Sequence, residues 1–202
     1  MKKQRVKIRI LKGENMQIYL LDINKEMTDA WNKYFDLPNV EIVNEDFSTF
    51  MDKHPEVDAI VSPANSFGFM DGGYDKAIID YLGERAQTNV LTSLDAVYKG
   101  YQPIGTCLSV PYDKYIILHT PTMRTPEVIV DHRVIFDCMR SCLLEASKQN
   151  CKSIVIPAFG GLTGRVPYDT IARMMFFAYE QLHHKPKLNW GYACYVAKEL
   201  RR

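Results

Sequence analysis

Short apolar runs alternate with amphipathic stretches along most of the chain, and that alternation predicts its elements. Val6, Ile8 and Ile10 interleave with basic residues, as on a half-buried edge strand, and Lys12 to Asn15 reads as a turn. Gln17 to Leu21 is a buried strand. Asn24 caps a helix that carries Met27, Trp31, Tyr34 and Phe35 on one side. Val40 to Val43 is a strand, Phe47 to Met51 one helical turn, and Val57 to Val61 a central strand. Ser62 to Gly73, rich in Pro, Asn, Ser and Gly, is a loop. Helices follow at Tyr74 to Leu82 and Glu84 to Tyr98. Strands at Thr106 to Val110 and Tyr115 to His119 are joined by Pro111-Tyr-Asp-Lys. Val130, Val134, Cys138 and Cys142 mark one face of a long helix reaching about Gln149. Ser153 to Ile156 is a strand, Pro167 to Leu182 a helix with Pro in its first turn, and Gly191 to Val196 a closing strand. Strands alternating with helices predict an α/β fold with a mixed, mostly parallel sheet between helical layers.

Composition narrows the class. The 202 residues, 47% of them hydrophobic, suit one sizeable domain and are short for two. A single domain is expected over 1–202, with residues 1–15 as its edge strand and turn. Lys plus Arg number 25 against 24 Asp plus Glu. A net charge of +1 gives no field for an extended nucleic-acid surface, so an anionic ligand must be met by local geometry. No apolar run approaches a membrane span and the basic start lacks an apolar signal region, which predicts a cytoplasmic protein. Cys107, Cys138, Cys142, Cys151 and Cys194 form no Cys-x-x-Cys pair and read as buried reduced thiols. No side-chain cluster suggests a metal, and no cofactor is expected. His183 and His184 fall in a helix's last turn, where positive charge is tolerated.

Two segments carry the chemistry. In open α/β sheets, ligands gather beyond the carboxyl ends of the strands. Val57-Asp-Ala-Ile-Val-Ser-Pro-Ala-Asn65 runs into Ser-Phe-Gly-Phe-Met-Asp-Gly72-Gly73-Tyr74-Asp75: strand, loop, helix. Gly72 and Gly73 let the backbone approach a ligand where a helix N-terminus offers free N–H groups, or they only turn the chain. Ile154-Val-Ile-Pro157-Ala-Phe-Gly160-Gly161-Leu162-Thr163-Gly164-Arg165-Val-Pro167 repeats the design. Two such loops on neighbouring strand ends can hold both phosphates of a pyrophosphate. Neither is a Walker A loop, and neither is Gly-x-Gly-x-x-Gly. A nicotinamide-dependent oxidoreductase is therefore not expected.

These segments resemble the macro domains, whose strand ends Val-Asp-x-Ile-Val-Asn-x-Ala-Asn before a Gly-Gly-Val-Asp/Ala-x-Ala-Ile stretch. Glu45-Asp46-Phe47-Ser48 stands where the family has Gly-Asp-Ile-Thr. Tyr115-Ile-Ile-Leu-His119-Thr-Pro121 is similar to its Ile-Ile-His-x-x-x-Pro strand. The resemblance runs from about Gln17 to the end and implies a three-layer α-β-α macro-domain fold. It implies that Asp46 accepts the adenine amine, supported by the Phe47 N–H, and that Asn65 holds the distal ribose. Gly72, Gly73 and Tyr74 would form one phosphate loop, and Gly160, Gly161, Leu162, Thr163 and Gly164 the other. Asp75 matches the acidic residue that hydrolytic members use near the scissile carbon, and as a helix N-terminal carboxylate it is expected to be ionised.

The chain departs from the pattern in two places. Ser62 replaces the first Asn, and Gly164 replaces the aromatic that packs on the distal ribose. Phe67, Phe69, Phe159 and Tyr74 are the candidate substitutes. Arg165 either touches phosphate or is a solvated charge. His119 reads as a satisfied core histidine, Arg124 as a secondary ligand contact, and Asp22 as a turn cap. The implied ligand is ADP-ribose, free or carried on a protein or nucleic acid. The implied activity is hydrolysis of an ADP-ribosyl linkage, ADP-ribose 1″-phosphate or O-acetyl-ADP-ribose, assisted by Asp75 and Asn65. The alternative is a reader of ADP-ribosylated partners, or a sensor or scavenger of a nucleotide signal.

Overall fold

The computed structural model describes residues 16–183 and 187–201. Period-two alternation explains why its sheet is covered on both faces. In β1 (Gln17–Leu21), Ile18 and Leu20 enter one core while Tyr19 and Leu21 enter another. In β3 (Ala59–Ser62), Ala59 and Val61 oppose Ile60, and in β6 (Ser153–Pro157), Ile154 and Ile156 oppose Val155. Neighbouring side chains of a strand point to opposite faces, so a strand apolar throughout needs a layer on each. α1 (Lys25–Asn32), α5 (Arg133–Lys148) and α6 (Tyr168–His183) supply one layer. α2 (Phe47–Lys53), α3 (Gly73–Leu82) and α4 (Arg85–Tyr98) supply the other. The result is the expected three-layer α-β-α architecture.

The strand order is β2-β1-β6-β3-β5-β4, with β2 at Val40–Val43, β4 at Leu108–Tyr112 and β5 at Tyr115–His119. All pairings are parallel except that of β4 with β5. The carboxyl ends of β2, β1, β6, β3 and β5 therefore share one side of the molecule. β4 begins two residues later than expected and takes in Pro111, which an edge strand tolerates. Asp113, at φ 49°, then makes a two-residue hairpin turn with Lys114, and Tyr112 pairs with Tyr115.

Three expectations are corrected. The closing strand at Gly191 to Val196 is a helix, α7 (Trp190–Glu199), capped where the Asn189 side chain accepts the Tyr192 N–H at 2.9 Å. Both edges of β6 are already paired, with β1 and β3, so no place beside it remains. α7 buries no residue fully and leans on α6 through the Phe177–Tyr195 ring pair. Val130 is no part of the helical face, since α5 starts at Arg133 and Val130 is 88% exposed. The thiols are also less uniform than expected: Cys138, Cys142 and Cys151 are buried, but Cys194 is exposed. The strand at Val6 to Ile10, the turn at Lys12 to Asn15, and His184 lie outside the described residues. No described helix is long and apolar enough to cross a membrane.

Candidate functional site

The cleft lies where the fold collects its loops, beyond the ends of β3, β5 and β6. Its walls are Pro63 to Asn65, Asp71 to Asp75, Thr122, Met123, Pro126, Ala158 and Gly160 to Gly164. Both glycine-rich loops thus face one space. A Cβ built on Gly73 would stand 3.5 Å from Leu162 Cδ1, which measures how closely they approach. Gly73 itself sits at φ +56° and opens α3.

The second loop is held by its own main chain. The Val166 N–H donates to the Gly160 carbonyl at 3.1 Å, and the Ile129 N–H to the Gly164 carbonyl at 2.9 Å. Gly164 is sterically required: a Cβ there would come within 2.7 Å of the Gly160 carbonyl oxygen and of Ile129 Cδ1. The departure from the family's aromatic is therefore built into this loop's path. Among the four candidate substitutes, Tyr74 lines the cleft, Phe67 and Phe69 are exposed, and Phe159 is fully buried in the core and so unable to meet a ligand.

Asp75 lies in the first turn of α3, 8% exposed, and accepts a hydrogen bond from Ser62 Oγ at 2.6 Å. Ser62, at the end of β3, is fully buried. Burial pushes the Asp75 carboxyl up to about 7, the Ser62 bond offsetting part of the effect. The ionised state expected at neutral pH is thus replaced by a carboxyl near half-protonation, because desolvation outweighs the helix N-terminus.

Asn65 is 9% exposed and works within its own loop. Its Nδ2 donates to the Phe69 carbonyl at 2.8 Å and its Oδ1 accepts the Phe67 N–H at 3.0 Å. Behind it, His119 Nδ1 meets Gln102 Oε1 at 2.7 Å. Gln102 Nε2 donates to the carbonyls of Thr106 and His119, which fixes Oε1 as the acceptor and places the imidazole proton on Nδ1. Burial lowers His119 to about 4, a backbone hydrogen bond with Asn65 offsetting part of the effect, so the ring is neutral. His119 is the core histidine expected, fully buried and held by Gln102.

Other expected residues fall outside the cleft walls. Asp46 caps α2, Arg165 is exposed at φ 53°, and Arg124 donates through Nε to the Tyr101 hydroxyl at 3.0 Å. Phe47 is buried and packs edge-on against Tyr74, centroids 5.3 Å apart. Thr122, Met123 and Pro126 belong to the cleft but carried no motif; their only signal was the polar loop that follows β5.

An uncharacterized protein of Aquifex aeolicus (strain VF5) is 32% identical over 123 residues, 59% of this chain and 71% of that one. The macrodomain of Mycobacterium tuberculosis DarG superposes with a TM-score of 0.53 at 18% identity, covering 63% of this chain and 84% of that one. The Oceanobacillus iheyensis macrodomain with ADP gives 0.54 at 18% identity, covering 62% and 68%. The family model described as Macro domain matches residues 61–175, which hold the end of β3, both glycine loops and the first half of α6, more than half of the sequence. On that match the chain belongs to the macro domain family.

Proposed function

We propose that the cleft binds ADP-ribose, free or conjugated, and that the protein hydrolyses an ADP-ribosyl linkage. The observation that carries the reading is the convergence of two glycine-rich strand-to-helix loops on one space. Backbone N–H groups at such loops satisfy phosphate oxygens without a lysine. The pyrophosphate lies between Gly72–Tyr74 and Gly160–Gly164, and the distal ribose lies against Asn65 and Asp75. A solved structure of the same fold, the Oceanobacillus iheyensis macrodomain, carries ADP, which supports a nucleotide diphosphate as ligand. Asp75 orients water and takes its proton as the linkage breaks, and a carboxyl near neutrality suits that exchange.

Calorimetry should show ADP-ribose binding that AMP does not match; equal affinities would remove the two-loop pyrophosphate site. Incubation with a panel of ADP-ribose conjugates should release free ADP-ribose. Asp75→Asn should lower turnover by about 10²–10⁴, the usual worth of general acid–base help, with little change in ADP-ribose affinity. A second reading, a non-catalytic reader, is favoured by Gly164, which leaves the distal ribose without the family's packing aromatic. Tight binding with no release from any conjugate would decide for it.

A further inference from the structure

Asp46, the carboxylate that the motifs imply for the adenine amine, is held by the helix it caps. Asp46 has both carboxylate oxygens engaged. Oδ1 accepts from Ser48 Oγ at 2.6 Å and from the Thr49 N–H at 2.9 Å, and Oδ2 accepts from Thr49 Oγ1 at 2.7 Å. It is exposed, and it follows β2, which lies at the edge of the sheet. Asp22 follows β1, which lies between β2 and β6. Leu21 pairs with Val43 on one side and with Pro157 on the other, so Asp22 emerges beside the second glycine loop.

Asp22 uses Oδ1 to accept the Asn24 N–H at 2.8 Å, and no described residue donates to Oδ2. Asn24 Nδ2 donates to the Tyr168 hydroxyl at 2.8 Å. The Tyr168 ring in turn stands 3.6 Å from a Cβ built on Gly161, a cleft residue. Facing this loop is Tyr74, which lines the cleft where the family pattern has Val. Its hydroxyl is buried and has no hydrogen-bond partner. Burial first, then the charges of Asp75 and Asp22, hold the phenol protonated, so it is a hydrogen-bond donor. A buried hydroxyl without a partner is unfavourable unless a ligand completes it. Ile23, between Asp22 and Asn24, is 73% exposed and offers an apolar cover for a flat ring.

We infer that Asp22 and Tyr74 read the edge of the adenine base, the Asp22 carboxylate accepting its exocyclic amine and the Tyr74 hydroxyl donating to a ring nitrogen, with Ile23 against the ring's face. Asp46 then serves only the helix it caps. The inference rests on the ADP-ribose reading and supplies its base selectivity.

The test is calorimetry with ADP-ribose and with inosine diphosphate ribose, in which an oxo group replaces the amine. The parent should prefer ADP-ribose at least tenfold. Asp22→Asn retains the acceptor for the Asn24 N–H but presents an amide donor. It should bind ADP-ribose about ten- to hundredfold more weakly, the worth of one hydrogen bond to a charged group, and should lose or invert the base preference. Tyr74→Phe, which keeps the packing on Phe47, should weaken ADP-ribose binding severalfold. Asp46→Asn should stay within about twofold of the parent. Equal affinity of the parent for the two ligands, needing no variant, would overturn the assignment. So would a folded Asp22→Asn that behaves as the parent, or an Asp46→Asn that loses the preference, while ADP-ribose binding itself stands. A parent that binds neither ligand overturns both this assignment and the ADP-ribose reading.

Discussion

Asp75 and Gly164 show how single residues answer to surroundings that their neighbours in sequence do not specify. Asp75 is surrounded by protein, and its carboxyl lies at about 7 instead of the ordinary value near 3.8. A folded-state value above the unfolded one means stability that is complete below pH 4 and lost as pH rises through 7. At about 1.4 kcal/mol per unit, the ionised buried carboxylate costs roughly 4 kcal/mol above pH 8. Asp75→Asn should therefore be more stable than the parent at pH 8 and indistinguishable from it near pH 4, as read from urea midpoints. A constant difference across that range would mean that the carboxyl is not desolvated. Gly164→Ala puts a methyl 2.7 Å from the Gly160 carbonyl oxygen. The loop must open, at about 1–3 kcal/mol, and ADP-ribose affinity should fall with it. Unchanged stability would show a loop with room to spare.

At the scale of elements, capping decides where helices begin. Asn24, Asp46 and Asn189 each accept an N–H from the first turn that follows. Asp46→Ala should cost about 1 kcal/mol in denaturant unfolding, while Asp46→Asn, an equally good cap, should cost almost nothing. Equal losses in both would assign Asp46 a role beyond the cap. Most elements were legible from pattern: buried strands showed as apolar runs and helices as amphipathic stretches with polar caps. The failures share a cause. The run Tyr192-Ala-Cys-Tyr-Val196 is apolar enough for a strand, yet strand identity requires a free edge beside another strand. Val130 lies just ahead of α5, and a helical spacing extends over it without showing where the helix starts.

Across the whole molecule, the cleft depends on five parallel strands ending together, so that loops some ninety residues apart in sequence face each other. A ligand that ties these loops together should stabilise the entire fold. At a concentration one hundred times its Kd, ADP-ribose should add about 2.7 kcal/mol. For a chain of this size that is a rise in Tm of roughly 5–10 °C. Calorimetric scans with and without ligand would check it, and AMP should give a smaller rise because it lacks the second phosphate. A matching rise with AMP would place the binding energy in the nucleoside end alone.

The sequence by itself determined the α/β class, both glycine-rich loops and the identity of the family, because these are local: period-two apolar runs and contiguous turn residues are complete within a few positions. Tertiary structure alone decided that β1 and not the chain's end lies beside β6, that Ser62 meets Asp75, that Tyr74 keeps a buried hydroxyl without a partner, and that Gly164 has no room for a side chain. Each of these is a contact between segments brought together by the sheet order, and burial and desolvation act on a residue only after that order has set its neighbours.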